Sequence, residues 1–227
     1  MSDKPYSGIV AFCESCLEQY GDTPQGVGWF RGDGDVRHRV MLDVIRPSGS
    51  PASLLDFGCG ASHLLDFIRK HGIPGIEYRG LDLSQSFLAL SRRKYPSVPY
   101  CAIDVLDPAS EPLAPVDYVV MNGVFTYKGN LTQAAMFDYL KRLVLTVFPS
   151  CRRGLALNVM SKQVEWERDD LFHLSIDELV GFLAREVSRH VVIRHDYGLY
   201  EYTAYVYADP SAPELKDAKR RLEGPRR

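Results

Sequence analysis

The sequence lacks three features: a long apolar run, a cysteine framework and an excess of charge of either sign. No apolar segment approaches the roughly 18 residues that cross a bilayer. The first residues, "MSDKPYSG", lack the charged and then apolar pattern of an export signal. Five cysteines, an odd number spread along the chain, do not make a disulfide framework. We therefore expect a cytoplasmic protein with no membrane partner.

Charge is balanced, with 27 basic and 29 acidic residues and a formal net charge of −2. This balance gives no overall field that would attract nucleic acid. The exception is "KDAKRRLEGPRR" at the end, where six basic residues face two acids, and we expect a flexible tail there. Cys13 and Cys16 form a C-x-x-C, but no second pair closes a metal site, so the sequence predicts no metal.

Hydrophobic periodicity predicts two helices, Ile9–Tyr20 and Val36–Ile45, followed by an alternation of strands and helices. The predicted strands are Ala52–Phe57, Tyr78–Leu81, Tyr100–Ile103, Asp117–Met121 and Gly154–Met160. The predicted helices between and after them are Ser62–His71, Gln85–Tyr95, Thr132–Phe148 and Ser175–Ser188. Short apolar strands separated by helices are typical of parallel pairing with helices on both faces of a sheet.

The end of the chain breaks this alternation. Strand-like runs at His190–Asp196 and Tyr200–Tyr207 are separated by a few residues around Gly198, which is too short for a parallel crossover. The sequence therefore predicts one α/β domain: a doubly wound, mostly parallel, seven-stranded sheet that ends in an antiparallel hairpin. Residues 1–50 form a helical cap in this prediction, residues 51–208 the core, and residues 209–227 the basic tail.

The stretch "SLLDFGCGASHLL" ends the first strand with a glycine-containing turn at Asp56, Gly58 and Gly60. Glycine permits a tight turn and a close approach of the backbone to a ligand. The dinucleotide pattern G-x-G-x-x-G is incomplete, because His63 stands at its last position. A phosphate-binding P-loop is also missing, since no Gly-Lys-Ser/Thr follows the turn.

Four successive strand ends carry a polar residue: Asp56, Asp82, Asp104 and Asn122. In a doubly wound sheet, ligands bind beyond these ends. Asp82 lies 22 residues after Gly60, where a carboxylate can accept hydrogen bonds from both hydroxyls of a ribose. This spacing is hard to obtain from packing requirements alone, so we expect a nucleoside-type ligand.

The motifs "LLDFGCG", "GLDLS" and "AIDV", with the closing hairpin, resemble those of the class I S-adenosylmethionine-dependent methyltransferases over roughly residues 51–207. The resemblance implies a Rossmann-like fold, S-adenosylmethionine as cofactor and methyl transfer as activity. It also implies contacts for each part of the cofactor: the methionine part with Asp56, Gly58 and Gly60, the ribose with Asp82, the adenine with Asp104, Leu83 and Val105, and the sulfonium with Asn122. Ser62 departs from the family, which often has a third glycine there.

Further candidates have weaker signals. Arg39 or Arg37 could pair with the methionine carboxylate, or either could belong to a solvated helix face. Trp29, in a glycine-rich loop, could form an apolar wall of a lid over the cofactor or anchor the cap to the core. A catalytic base could be His173, which we favour, or Tyr127 or His63.

The acceptor is the least determined part. Asn122-Gly-Val-Phe125 lacks both prolines of the turn in methylases of base amines, and no Pro-Cys nucleophile for cytosine C5 is present. We therefore expect a small-molecule acceptor with a hydroxyl, carboxylate or amine, such as a sugar or secondary metabolite. The alternatives are a non-catalytic binding protein of the same fold, an RNA methyltransferase assisted by the basic tail, and a nicotinamide dehydrogenase. Oligomeric state is left open.

Overall fold

The computed structural model describes residue 4 and residues 6–209. Except for Asp209, the predicted basic tail lies outside these described residues. No helix in the described part of the chain is both long and apolar enough to cross a membrane.

The described residues form one twisted sheet in the order β3-β2-β1-β4-β5-β8-β7, with a short strand, β6, beside the end of β5. The strands are β1 (Ala52–Phe57), β2 (Ile76–Leu81), β3 (Tyr100–Cys101), β4 (Val116–Met121), β5 (Cys151–Ser161), β6 (His173–Leu174), β7 (Val191–Arg194) and β8 (Glu201–Tyr207). All pairs are parallel except those of β8, which runs antiparallel to β5 and β7. The strand order reverses between β1 and β4, which is where doubly wound folds bind ligands.

Six α-helices in the described part of the chain cover the sheet. They are α1 (Ser7–Tyr20), α2 (Gly34–Leu42), α3 (His63–Lys70), α4 (Gln85–Lys94), α5 (Gln133–Val147) and α6 (Ile176–Phe182). Ser84, Thr132 and Ser175 begin α4, α5 and α6, and each hydroxyl accepts a hydrogen bond from a backbone N–H in the first turn. Such caps satisfy donors that the helix itself leaves free.

Two apolar cores lie on opposite faces of the sheet. Leu55 and Val119 face the core that contains α5 and α6, whereas Leu54 and Val120 face the core that contains α2 and α3. All six residues of β1 are buried. Strands that are buried on both faces have mostly apolar residues without alternation, which is the pattern of the sequence before the glycine turn.

The predicted architecture is confirmed, with differences at element ends. The third strand is shorter than predicted, because the chain turns at Asp104, whose carboxylate accepts a hydrogen bond from the N–H of Leu106 at 3.1 Å. The short strand β6 was not predicted, since two residues carry no periodic signal. The helix predicted over Ser175–Ser188 ends at Phe182 and continues as a π-helical turn, Leu183–Val187.

Candidate functional site

A cavity of about 160 Å³ lies at the carboxyl ends of β1, β2 and β4, under α1 and the loop before α2. Of the residues predicted to bind a cofactor, its wall contains Asp56, Gly58, Gly60, Asp82, Leu83, Asn122 and Trp29. These residues come from four separate segments. They meet because the ends of neighbouring parallel strands lie at one edge of the sheet.

The turn after β1 brings backbone, rather than side chains, to the cavity. Gly58 and Gly60 have positive φ angles of +74° and +50°. A Cβ atom on Gly58 would lie 2.9 Å from Cγ2 of Val124, and one on Gly60 would lie 3.3 Å from Cγ1 of Val27. Only glycine fits this close approach without strain.

Asp82 fixes this turn to the end of β2. One carboxylate oxygen accepts a hydrogen bond from the Gly60 N–H at 2.8 Å, and the other accepts one from the Ser84 N–H at 2.9 Å. Burial raises the pKa of Asp82, and these N–H groups oppose that shift. A carboxylate has about four acceptor positions, so Asp82 retains capacity for the hydroxyls of a ligand.

A second acid stands near Asp82. Glu14 of α1 accepts a 2.6 Å hydrogen bond from the hydroxyl of Ser84, and its charge raises the pKa of Asp82. Sequence reasoning missed Glu14, because its place depends on how α1 packs across the strand ends. The helical pattern of α1 gives no signal for that packing.

Asp56 is buried in the cavity wall, with 3% of its surface exposed. Burial raises its pKa to about 7, while the Tyr78 hydroxyl, which donates a 2.7 Å hydrogen bond, opposes this shift and the charge of Asp82 adds to it. The Asp56 carboxyl therefore changes its protonation state near neutral pH. A cation in the cavity would favour its ionised form.

Ser62 occupies a left-handed conformation, with φ +60°, and is fully buried. Its hydroxyl lies 2.8 Å from the hydroxyls of both Ser91 and Tyr100. These bonds explain how a serine stands where the family often has glycine, because they offset the cost of its backbone conformation.

Asn122 and Trp29 belong to a connected polar region at the end of β4. Asn158 accepts a 2.8 Å hydrogen bond from the Gly123 N–H, and its amide donates to Glu201 at 2.9 Å and to Asn122 at 3.5 Å. Glu201 forms a buried ion pair with Arg37, whose guanidinium lies over the Trp29 ring at 5.3 Å.

Three predicted cofactor residues lie outside the cavity wall. Arg39 is exposed, because one helical step of about 100° separates it from His38, which faces inward. Asp104 forms hydrogen bonds with the Lys4 ammonium and the Tyr6 hydroxyl. Val105 lies in a different, shallow depression. Tyr6, which contacts Asp104, lines the first cavity together with Tyr139, and the centres of their stacked rings are 5.1 Å apart.

His38 is an unpredicted member of the wall. Burial lowers its pKa to about 4, so the imidazole is neutral at pH 7. Its Nδ1 atom is buried without a hydrogen-bond partner in the described residues. The sequence offered no sign of this role, because a lone histidine inside a helix carries no motif.

A second, larger cavity of about 360 Å³ lies on the other side of Trp29, which lines both cavities. Residues from the segments 28–33, 164–171 and 198–200 form most of its wall, and Arg37, Thr126, Met160 and His173 complete it. His173 lies in this second cavity and is absent from the wall of the first.

The surroundings of His173 favour a structural role over that of a base. It is buried, its Nδ1 lies 2.7 Å from the Ser161 carbonyl oxygen, and its Nε2 accepts a 3.3 Å hydrogen bond from the Arg168 N–H. Both ring nitrogens are thus engaged with the backbone, and the ring joins the end of β5 to the following loop. The catalytic role stays a prediction.

The other two candidate bases are also engaged. Tyr127 stacks on Phe12 at 3.9 Å and lies in neither cavity wall. His63 lines the first cavity, and its Nε2 lies 2.9 Å from Asp22. Asp22 and Asp66 both contact the Lys94 ammonium, at 3.0 and 2.7 Å. Asp22, His63 and Asp66 are close enough together to bind a metal ion. The Lys94 ammonium, however, already bridges the two acids.

Comparisons with known proteins agree with this geometry. Residues 55–144 match the family model of a methyltransferase domain. A Mycobacterium tuberculosis protein named as a methyltransferase is 26% identical over 165 residues, covering 70% of this chain and 95% of the relative. A match of 32% identity over 97 residues covers 41% of this chain and 4% of a non-reducing polyketide synthase from Aspergillus terreus.

Solved structures share the fold. Magnesium protoporphyrin IX methyltransferase from Synechocystis, with bound S-adenosylmethionine, has a TM-score of 0.63 at 12% identity, covering 92% of this chain and 99% of that one. A Burkholderia thailandensis 1,6-didemethyltoxoflavin-N1-methyltransferase, with bound 1,6-didemethyltoxoflavin and S-adenosylhomocysteine, has a TM-score of 0.56 at 16% identity, covering 91% of each chain.

Proposed function

We propose that the chain is a class I S-adenosylmethionine-dependent methyltransferase, in agreement with its sequence motifs and with the methyltransferase domain model that it matches, and that it transfers a methyl group to a small molecule. S-Adenosylmethionine supplies an electrophilic methyl group on a sulfonium. The first cavity holds this donor, and the second cavity holds the acceptor.

One observation carries the assignment of the first cavity: within the described residues, its wall has two carboxylates, the buried Asp56 and the half-buried Asp82, and no lysine or arginine. Asp56 and Asp82 favour a cationic ligand. A dinucleotide would bring a diphosphate, which needs positive charge or a complete glycine motif. An adenosyl sulfonium has a positive charge and no phosphate, so it suits this wall better.

Within this cavity we assign Asp82 to the ribose hydroxyls and the backbone of Gly58 and Gly60 to the methionine part. Asn122 directly follows β4 and lines the first cavity, and it lies close to the sulfonium in this proposal. The buried chain from Arg37 through Glu201 and Asn158 holds the Gly123 N–H and therefore the position of this strand end.

The acceptor approaches from the second cavity. Methyl transfer is an in-line displacement, so the acceptor atom must meet the methyl carbon on the side opposite the sulfur. Holding the two partners aligned in a site with little water supplies most of the rate gain. Trp29 contributes an apolar wall at the boundary between the cavities.

Support for a small acceptor comes from the size of the second cavity and from relatives. Magnesium protoporphyrin IX and 1,6-didemethyltoxoflavin, named for two proteins of this fold, are small molecules. The acceptor atom in our proposal is the oxygen of a hydroxyl or carboxylate, or the nitrogen of an amine. A secondary metabolite fits this description, as does a sugar.

Calorimetry tests this proposal. The full chain is titrated in parallel with S-adenosylhomocysteine and with NAD, and then assayed for methyl transfer from labelled S-adenosylmethionine to a broad acceptor panel. We expect binding of the homocysteine compound, weak or absent binding of NAD, and transfer to one acceptor class. Binding without any transfer would favour a non-catalytic binding protein, and tight NAD binding alone would overturn the assignment.

A further inference from the structure

Aromatic side chains are unusually exposed at the mouth of the second cavity. The three most exposed large apolar side chains in the described part of the chain are Trp166 (66%), Phe30 (58%) and Tyr200 (52%), and all three line this cavity. Exposed apolar surface that gathers at one concave place indicates a binding site, whereas scattered exposure does not.

These aromatics come from three separate parts of the chain. Phe30 belongs to the loop between α1 and α2, Trp166 to the loop between β5 and β6, and Tyr200 to the turn between β7 and β8. A local run of apolar residues therefore does not explain the cluster. Three loops each bring one flat ring to the same cavity, which suggests that the rings share a ligand.

The charged groups of the cavity fit this interpretation. Arg37 is paired with Asp33 and Glu201, and Arg168 is paired with Asp170. Arg31 has no carboxylate partner among the described residues, and its guanidinium lies over the Tyr200 ring at 5.0 Å. A planar guanidinium on a planar ring extends the flat surface at the cavity mouth.

We propose that the second cavity takes a planar aromatic acceptor, which stacks on Trp166, Phe30 and Tyr200. This inference rests on the proposed function, since it names the substrate class of the same acceptor site. Aromatic rings prefer offset stacking or edge contacts with other rings and gain energy beyond their buried area. A saturated molecule of the same size buries similar area but lacks these contacts.

The chain offers a direct reporter, because its two tryptophans, Trp29 and Trp166, both line this cavity. We would label the full chain with ¹⁵N, add excess S-adenosylhomocysteine, and follow the two indole N–H signals. The probes are 2-naphthol and decahydro-2-naphthol, which share a skeleton and a hydroxyl but differ in planarity. We expect both signals to shift with 2-naphthol, at an affinity about tenfold higher than that of the saturated alcohol.

Substitutions test whether 2-naphthol binds at the aromatic residues of the second cavity. Trp166→Ala should weaken 2-naphthol binding about tenfold, measured through the Trp29 signal. Val192→Ala is the matched control, because Val192 is also exposed, at 40%, and lies outside the cavity. Equal affinity for the two alcohols, no shift with 2-naphthol, or an unchanged affinity in Trp166→Ala would overturn the inference.

The donor is measured separately by calorimetry. If S-adenosylhomocysteine binds while 2-naphthol fails, the acceptor class is wrong and the proposed function survives. If neither binds, the proposed function itself fails. If the aromatic residues instead served to dock a protein, 2-naphthol would leave the two indole N–H signals unchanged. That result is one of those that would overturn the inference.

Discussion

The carboxylate of Asp82 accepts a 2.8 Å hydrogen bond from the backbone N–H of Gly60, which lies 22 residues earlier in the chain. This bond joins the end of β2 to the turn after β1. It places the half-buried carboxylate of Asp82 beside the segment of backbone that lines the first cavity. The donor site that we propose depends on this junction.

Asp82→Ala should therefore weaken binding of S-adenosylhomocysteine by about 1.5–3 kcal/mol, the range for hydrogen bonds to a charged group. Calorimetry measures this change, and thermal unfolding of the same variant reports any damage to the turn. Asp107→Ala is the control, because Asp107 is exposed at 41% and lies outside the cavity. Equal affinities for the two variants would remove Asp82 from the ribose site.

Asp56 should make donor binding depend on pH. Its pKa of about 7 means that S-adenosylmethionine, a cation, must favour release of a proton. We expect the affinity for S-adenosylmethionine to rise between pH 6 and pH 8, by up to roughly tenfold per pH unit below the pKa. In Asp56→Asn this dependence should vanish. A persistent dependence in that variant would assign it to another group.

The raised pKa of Asp56 also makes the stability of the protein depend on pH. Between the ordinary aspartate range, near 4, and about 7, the folded protein holds a proton on Asp56 that the unfolded chain releases. The stability of the ligand-free protein should therefore fall as the pH rises through this interval. Asp56→Asn should reduce that fall in chemical denaturation.

Gly58→Ala tests the close approach of the backbone. Gly58 and Gly72 both have positive φ, +74° and +59°, but only at Gly58 would a Cβ meet a neighbour, at 2.9 Å. Gly72→Ala should cost about 1 kcal/mol of unfolding free energy, for the backbone conformation alone, and leave donor binding unchanged. Gly58→Ala should cost more and also weaken S-adenosylhomocysteine binding. Equal effects of both changes would contradict the close approach.

His173→Ala distinguishes a structural histidine from a base. It removes a buried hydrogen bond with the Ser161 carbonyl and a partly buried one with the Arg168 N–H, so unfolding free energy should fall by about 1–3 kcal/mol. The activity that remains should keep the pH profile of the unaltered protein. His190→Ala is the control, since no hydrogen bond of that side chain occurs in the described residues. Loss of one limb of the pH profile in His173→Ala would restore its role as a base.

Much of the donor site could be predicted from the sequence, because its signals are local. Asp56 lies in the last two residues of an apolar strand, Gly58, Gly60 and Asp82 follow such strands, and parallel strand ends lie at one edge of a sheet. The sheet itself follows from apolar strands that alternate with helices. The short strand β6 has no such pattern, and only its pairing with the end of β5 defines it.

The remaining parts depend on long-range packing. Asp104 lies three residues beyond the end of β3 rather than directly after it, and its carboxylate accepts hydrogen bonds from Lys4 and Tyr6, which precede α1. Arg39 and His38 are neighbours in sequence, but the rotation of α2 exposes one and buries the other. No periodic signal in this short helix distinguishes them.

The most direct measurement is a crystal structure of the full chain with S-adenosylhomocysteine. The account predicts that the adenosyl group lies in the first cavity, with its ribose hydroxyls within hydrogen-bond distance of Asp82 and its sulfur beside Asn122. A ligand bound outside this cavity, or a ribose that does not contact Asp82, would contradict it.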